Sequence, residues 1–179
     1  GKALALACDV SIRERADAVV AATVEAFGKL DILVNNAHSS RPQTLIVDTR
    51  DKDMALAFQG FHGAFYFMQA ALPHMQAKGG CVINLGSVSG MRGDAGFSAY
   101  AAAKEAIRAF SRSAAREWGG LGIRVNVICP FSESPGVDYM MAKDPAFIDQ
   151  LTSETVMGRL GSSEHDVGAT AVFLASDGG

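Results

Sequence analysis

The sequence predicts an α/β fold, with a parallel sheet covered by helices on both faces. Two observations carry that prediction. Short apolar runs alternate with long amphipathic ones along the whole chain, which is the pattern of consecutive βα units. The polar and glycine-rich residues also collect after the C-terminal ends of the apolar runs, at 35–40, 86–97 and 130–157. Those loops are where an open α/β sheet binds its ligands.

Each element follows from local pattern. Lys2 to Cys8 (KALALAC) reads as a buried strand. Ser11 opens a helix, with Glu14 three residues on completing a capping box, and Gly28 stops it. Asp31 to Asn35 (DILVN) is a second strand. A loop with Arg41 and Pro42 leads to a helical stretch over 51–76, which Pro73 should bend or end early. Cys81 to Leu85 (CVINL) is the third strand, and the Ala-rich run from Ser98 to Trp118 is a helix. Ile123 to Ile128 (IRVNVI) is the fourth strand. Pro130 begins a polar segment broken by proline and glycine as far as Gly161. Ser163 then caps a last helix from Glu164 to Ala175. With no internal repeat and no low-complexity linker, residues 1–179 read as one domain.

Composition narrows the function. Of 179 residues, 49% are hydrophobic and 20% charged, which excludes a disordered chain. Lys plus Arg is 16 and Asp plus Glu 19, for a net charge of -3 with no basic tract. That argues against a nucleic-acid or membrane partner. No apolar run reaches the ~18 residues of a membrane span. Cys8, Cys81 and Cys129 sit in apolar runs without a CxxC pair. They read as small buried hydrophobes in a reducing, cytoplasmic compartment. His38, His62, His74 and His165 show no HExxH or paired spacing, so no metal site is expected. Met91, Phe97, Met140, Met141 and Met157 suggest an adjustable apolar pocket for a small molecule, with core packing an equal alternative.

The chemistry centres on Tyr100 and Lys104. Four residues apart on a helix, their side chains share one face. A phenol of pKa near ~10 is a poor base at neutral pH, and a nearby ammonium lowers that value. Tyr100 can then exchange a proton with a hydroxyl or carbonyl oxygen. Ser87, leaving the third strand, carries a hydroxyl that could hold the same oxygen. Taken alone, a YxxxK pair is more often an ordinary surface pair.

The surrounding motifs make the pair specific. Asp9-Val10 follows the first strand, and Asn35-Asn36-Ala37-His38 the second. Asn84 to Gly90 (NLGSVSG), Tyr100 to Lys104 (YAAAK), Arg124-Val125-Asn126 and Cys129-Pro130 come next. Gly158 to Gly161 (GRLG) and Phe173 to Asp177 (FLASD) complete the series. In this order they resemble the short-chain dehydrogenase/reductase family, in its common single-domain form, over essentially the whole chain. The resemblance implies a Rossmann-like, doubly wound, three-layer αβα fold, of which this chain carries strands 3 to 6. It implies an oxidoreductase that interconverts a secondary alcohol and a ketone, using NAD or NADP. Ser87, Tyr100 and Lys104 would be the catalytic residues, with Tyr100 as general acid/base and Lys104 also holding the nicotinamide ribose. Asp9 and Val10 would contact the adenine, and Asn35, Asn36 and Ala37 the adenosine ribose. Asn35 would also brace the central strands, and Pro130 would lie beside the cofactor. A homodimer or homotetramer is the implied assembly, with a small carbonyl or alcohol compound as substrate. Asp9 read in isolation is instead a helix-entry carboxylate beside Ser11.

Departures from the family pattern set further expectations. Gly60, in Gly60-Phe61-His62-Gly63, stands where the family carries an Asn that holds a water linked to the catalytic lysine. That substitution predicts a weakened proton relay unless backbone, Gln59 or His62 holds the water, and predicts that Asn restored at 60 helps. His38 replaces the last glycine of NNAG and is expected to turn outward, a place in the substrate pocket being less favoured. Phe131 follows Pro130 where glycine is usual, and Ser132 or Ser134 could supply the missing hydroxyl near Pro135. No glycine-rich phosphate-binding turn precedes Lys2, and neither the second strand nor the last one is present. The chain is therefore expected to be a fragment of a longer protein. A catalytically weak or inactive binding or assembly protein, or a fragment unable to bind cofactor, is the alternative.

Overall fold

The computed structural model describes residues 1–41, 43–143, 146–153 and 155–179. They form two compact units, 1–128 and 129–179. The first unit runs α1 (Arg13–Phe27), β1 (Ile32–Asn35), α2 (Asp51–Met75), β2 (Gly80–Leu85), α3 (Val88–Arg92), α4 (Ser98–Trp118) and β3 (Ile123–Ile128). The three strands pair in parallel in the order β1-β2-β3, with Asn35 opposite Asn84 and Leu85 opposite Ile128. Sheet and helices make the three-layer α/β arrangement expected. The central strand explains itself: five of the six residues of β2 are buried, so its apolar run has no polar face. Met68, Ala71 and Met75 of α2 and Ala114 and Trp118 of α4 close on Val82 and Ile123.

Local chemistry fixes the ends of these elements. Gly28, at φ 76°, ends α1 in the left-handed conformation that glycine adopts without strain. Pro73 falls in the last turn of α2, and the helix runs only two residues beyond it. Gly79 (φ 78°) turns the chain into β2, where a Cβ would lie 2.6 Å from the Gly122 carbonyl oxygen. The arrival of α4 and β3 within their expected bounds reflects strong local signals on both.

Two expectations fail here. Residues 2–8 pair with no strand among the described residues, and Leu4 and Leu6 are 46% and 45% exposed. A strand is a property of its neighbours, and an apolar run without a ladder partner stays extended and unpaired. The Ser11–Glu14 capping box does not form. The cap position of α1 is Ile12, with no side-chain bond. Asp9 accepts both the Ser11 N–H (2.9 Å) and its hydroxyl (2.7 Å), so the serine is already engaged in an Asx turn. That bond also holds the Asp9 carboxyl below its usual range.

The second unit has α5 (Pro135–Lys143), α6 (Phe147–Ser153), a π-helical turn (Ser163–Gly168) and α7 (Ala169–Ala175). A short parallel bridge joins Ser132 to Gly161. Ser162, one residue before the expected Ser163, caps the last helical run by accepting the His165 N–H at 3.1 Å. Asp166 accepts the Ser162 N–H (2.7 Å) and pairs with Arg159 (2.8 Å), which accounts for the arginine of the GRLG motif. Among the described residues, no helix is long and apolar enough to cross a membrane.

Candidate active site

The C-terminal ends of β1 and β2 gather the polar residues. Ser87 follows β2 by two residues and caps α3, accepting the Ser89 N–H at 3.2 Å. Its hydroxyl hydrogen remains available to donate. Lys104 is 5% exposed, and its Nζ donates to the Leu85 carbonyl oxygen at 2.9 Å. This bond ties α4 to the end of the strand that Ser87 leaves. Lys104 Nζ also lies 5.7 Å from the ring centroid of Tyr100, one turn earlier. Tyr100 is half-buried, edge-on to Phe97 at 6.1 Å and to His38 at 5.0 Å. The three residues assigned to catalysis thus come from one strand end and one helix face, as their spacing suggests.

A buried amide supports that end of the sheet. Asn84 is fully buried; it donates to Ser111 Oγ (2.8 Å) and Met68 Sδ (3.3 Å) and accepts from Asn35 Nδ2 at 2.8 Å. The Asn35–Asn84 bond crosses from β1 to β2 directly below the site. Because a buried amide left unpaired is costly, this set of bonds fixes the register of the two strands.

Beside it, a cleft of about 140 Å³ is lined by Val10, Asn35, Asn36 and Ala37, with Gly60, Gly63 and Phe67 of α2 among its other walls. Four residues assigned to cofactor binding therefore share one cleft. A Cβ on Gly63 would approach Val10 Cβ and Cγ2 to 3.0 Å, so the close approach of α2 requires glycine there. Asp9 does not line this cleft, and its carboxylate is bound to Ser11. Pro130 belongs to the second unit. A second, smaller cleft is lined by Arg41, Thr44, Asp53, Phe97 and Tyr100, among others. Among the described residues no group of three or more His, Cys, Asp or Glu side chains could hold a metal ion.

His38 departs from expectation. It turns inward, against Tyr100 and Gly60. A Cβ built on Gly60 would lie 2.8 Å from His38 Nδ1 and 3.1 Å from the Ala37 carbonyl oxygen. The space for a side chain at position 60 is already filled, so Asn cannot be restored there without displacing the imidazole. His62 stacks on Tyr66 instead, with ring centroids 6.1 Å apart. In the sequence His38 and Gly60 stand as separate departures from the family pattern. Their joint signal was a large residue gained and a side chain lost in the same site.

Comparison with known proteins identifies the family of the chain. A family profile described as enoyl-(acyl carrier protein) reductase matches residues 1–179. The chain is 36% identical over 180 residues to a 12alpha-hydroxysteroid dehydrogenase of Clostridium sp., covering 98% of this chain and 70% of that protein. It is 31% identical over 177 residues to a meso-2,3-butanediol dehydrogenase of Serratia marcescens, covering 99% and 69%. A solved gluconate 5-dehydrogenase from Burkholderia cenocepacia, in complex with NADP and tartrate, superposes with a TM-score of 0.85 at 32% identity, covering 94% of this chain and 66% of that one. The structure of ElxO with NADP bound gives 0.87 at 28% identity, covering 94% and 69%. The chain belongs to the short-chain dehydrogenase/reductase family of NAD(P)-dependent oxidoreductases.

Proposed function

We propose that this chain carries the catalytic residues of a dehydrogenase that interconverts a secondary alcohol and its ketone with NAD or NADP, both units being parts of one such domain. The observation that carries the reading is the Lys104–Leu85 bond, which sets the Tyr100–Lys104 face of α4 at the strand end that delivers Ser87. Tyr100 gives a proton to the carbonyl oxygen in reduction and takes it from the hydroxyl in oxidation. Lys104, a buried cation beside the phenol, stabilises negative charge developing on the phenol oxygen. Ser87 donates to the substrate oxygen and fixes its position. The nicotinamide, when bound, supplies or accepts the hydride.

The residues present fit that cofactor. Val10 and 35–37 form one cleft at the end of β1, and Gly63 keeps its wall free of a side chain. Asn35, Asn36 and Ala37 would flank the adenosine ribose there and Val10 the adenine; Asp9 would reach the adenine only by leaving Ser11. Lys104 would hold the nicotinamide ribose, and Pro130 would lie beside the nicotinamide. Both solved relatives are complexes with NADP, which favours NADP as the first cofactor to test.

The test is oxidation of meso-2,3-butanediol, a 12α-hydroxysteroid and gluconate by NAD⁺ and NADP⁺, followed by the absorbance of the reduced nicotinamide. The expected result is turnover with at least one pair, and a loss of roughly 10²- to 10⁴-fold in the Tyr100→Phe variant. A loss below threefold would remove Tyr100 from the proton step. The competing reading, a catalytically weak relative, rests on Gly60 and predicts saturable cofactor binding without turnover.

A further inference from the structure

We propose that Arg41 selects the substrate: its guanidinium, on the cleft that Tyr100 also lines, binds a carboxylate carried by the ketone or alcohol that Tyr100 works on. The inference rests on the catalytic reading of Tyr100 above and names the substrate class of that site, an oxo or hydroxy acid. Three observations converge on it. Arg41 and Tyr100 line one small cleft, together with Thr44 and Phe97. Two guanidinium groups, of Arg41 and Arg50, approach a single carboxylate, that of Asp53. The Arg41 side chain is 48% exposed, whereas that of Asp53 is only 7% exposed.

The charge count decides which ligand fits. Arg50 Nε donates to Asp53 Oδ2 and Nη2 to Oδ1, each at 2.9 Å, and the Arg50 backbone N–H adds a third bond at 3.1 Å. That fork neutralises the carboxylate one for one. Arg41 Nη1 stands 3.7 Å from Oδ1, too far for a hydrogen bond. The buried carboxylate therefore draws Arg41 to the cleft without using its donors, and the three groups together carry one surplus positive charge. Among the described residues that line the cleft, Asp53 is the one acid, so no second carboxylate offsets that charge. The planar donor fork of an arginine matches a carboxylate in shape as well as in sign. The cleft is small, about 10 Å³, which is room for about one water. It can take the charged end of a ligand at its mouth but cannot enclose the ligand, whose remainder lies over Tyr100. The backbone holds this arrangement: the Thr44 N–H donates to the Gly96 carbonyl oxygen at 2.7 Å, tying the segment after Arg41 to the one that leads into α4.

The experiment uses the complete protein and three matched pairs of ketones: 3-oxobutanoate, 4-oxopentanoate and 5-oxohexanoate, each against its methyl ester, reduced by NADPH and by NADH. The series varies the reach from the reacting carbon to the carboxylate, and each pair differs chiefly in charge. At least one acid should exceed its ester in kcat/KM by about tenfold or more. Arg41→Gln should cut that acid-to-ester ratio by about tenfold, chiefly through KM, and Arg41→Lys should keep part of it. Added salt should shrink the ratio in the natural protein and leave it unchanged in Arg41→Gln. Calorimetric titration of the same pairs into the protein with NADP reads the same selectivity without chemistry. Acids that are neither turned over nor bound better than their esters in any pair would overturn the proposal. A preference for the acid that survives Arg41→Gln would place the recognition on another group and overturn it equally. Acid-selective binding that Arg41→Gln abolishes, alongside turnover that survives Tyr100→Phe or is absent for acids and esters alike, would remove the catalytic reading and leave the carboxylate site standing.

Discussion

The two units of this chain are built on different principles. Every buried residue among those described lies at or before Ile123, and β2 with the facing sides of α2 and α4 supplies most of them. Among the residues of 129–179 whose burial is described none is buried, and the order there comes from polar contacts within the unit. Examples are the Arg159–Asp166 pair, the Ser162 cap and the Ser132–Gly161 bridge. Apolar burial is worth about 25 cal/mol per Å², whereas exposed ion pairs contribute little. The residues assigned to proton transfer stand on the unit with the core. The other unit, without such a core, is the more readily adjusted of the two.

The largest effect expected from breaking this contrast is at Met68. It is fully buried in α2 and also accepts a weak bond from Asn84. Met68→Ala should cost about 2–5 kcal/mol, because the cavity left behind adds to the lost transfer energy. Urea unfolding should show the midpoint falling at an unchanged slope. A loss under about 1 kcal/mol would mean that the first unit is not held by this core.

His38 gives the next effect, and its sign is fixed. Its folded value, about 4, lies below the ordinary 6.5. Between those values the unfolded chain binds more protons than the folded one, so stability rises with pH across that window. The whole gain is at most about 3 kcal/mol at 1.36 kcal/mol per pH unit, and less where solvent reaches the ring. Stability curves at pH 4.5 and 7 for the natural protein and His38→Gln check it. An equal slope in both proteins would place the pH dependence elsewhere.

The same contrast explains what could be read from the sequence. The helix over Ser98–Trp118 and the strand over Ile123–Ile128 were legible because their signals are local: helical periodicity in one, a continuous apolar run in the other, with glycines between. The placement of Tyr100 and Lys104 on one helix face, and of Ser87 just past a strand end, was legible because helical spacing and a strand boundary are local signals. Residues 2–8 carry an equally strong apolar pattern, but a ladder needs a second strand, which no local pattern supplies. The inward turn of His38 was hidden for a related reason. It depends on the absence of a side chain at Gly60, on a different element, and only packing couples the two. In the second unit the cap fell one residue from its expected place, since Ser162 and Ser163 are equivalent in chemistry and only the backbone chooses between them.

The smallest effect sharpens the contrast most. Asp166 is held down to about 2, chiefly by its bond from Arg159 and then by the Ser162 N–H. Its folded value lies below the ordinary 3.8, so its contribution is present above that value and lost as pH falls through about 2. The pair is half-exposed, and its effect on global stability should be small. Its effect on local order should not be. Asp166→Asn keeps an oxygen for the Ser162 N–H and loses only the charge. Asp166→Ala loses both and frees the turn that begins the last helical run. Hydrogen exchange at 162–169 should therefore quicken slightly in the first variant and clearly in the second, while amides of β2 and α4 keep their protection. If Asp166→Ala loosens β2 as much as the turn, the order of 129–179 is not local, and the two units stand or fall together. If neither variant changes exchange at 162–169, the carboxylate contributes nothing to that order, and the Ser162 cap and backbone bridge suffice.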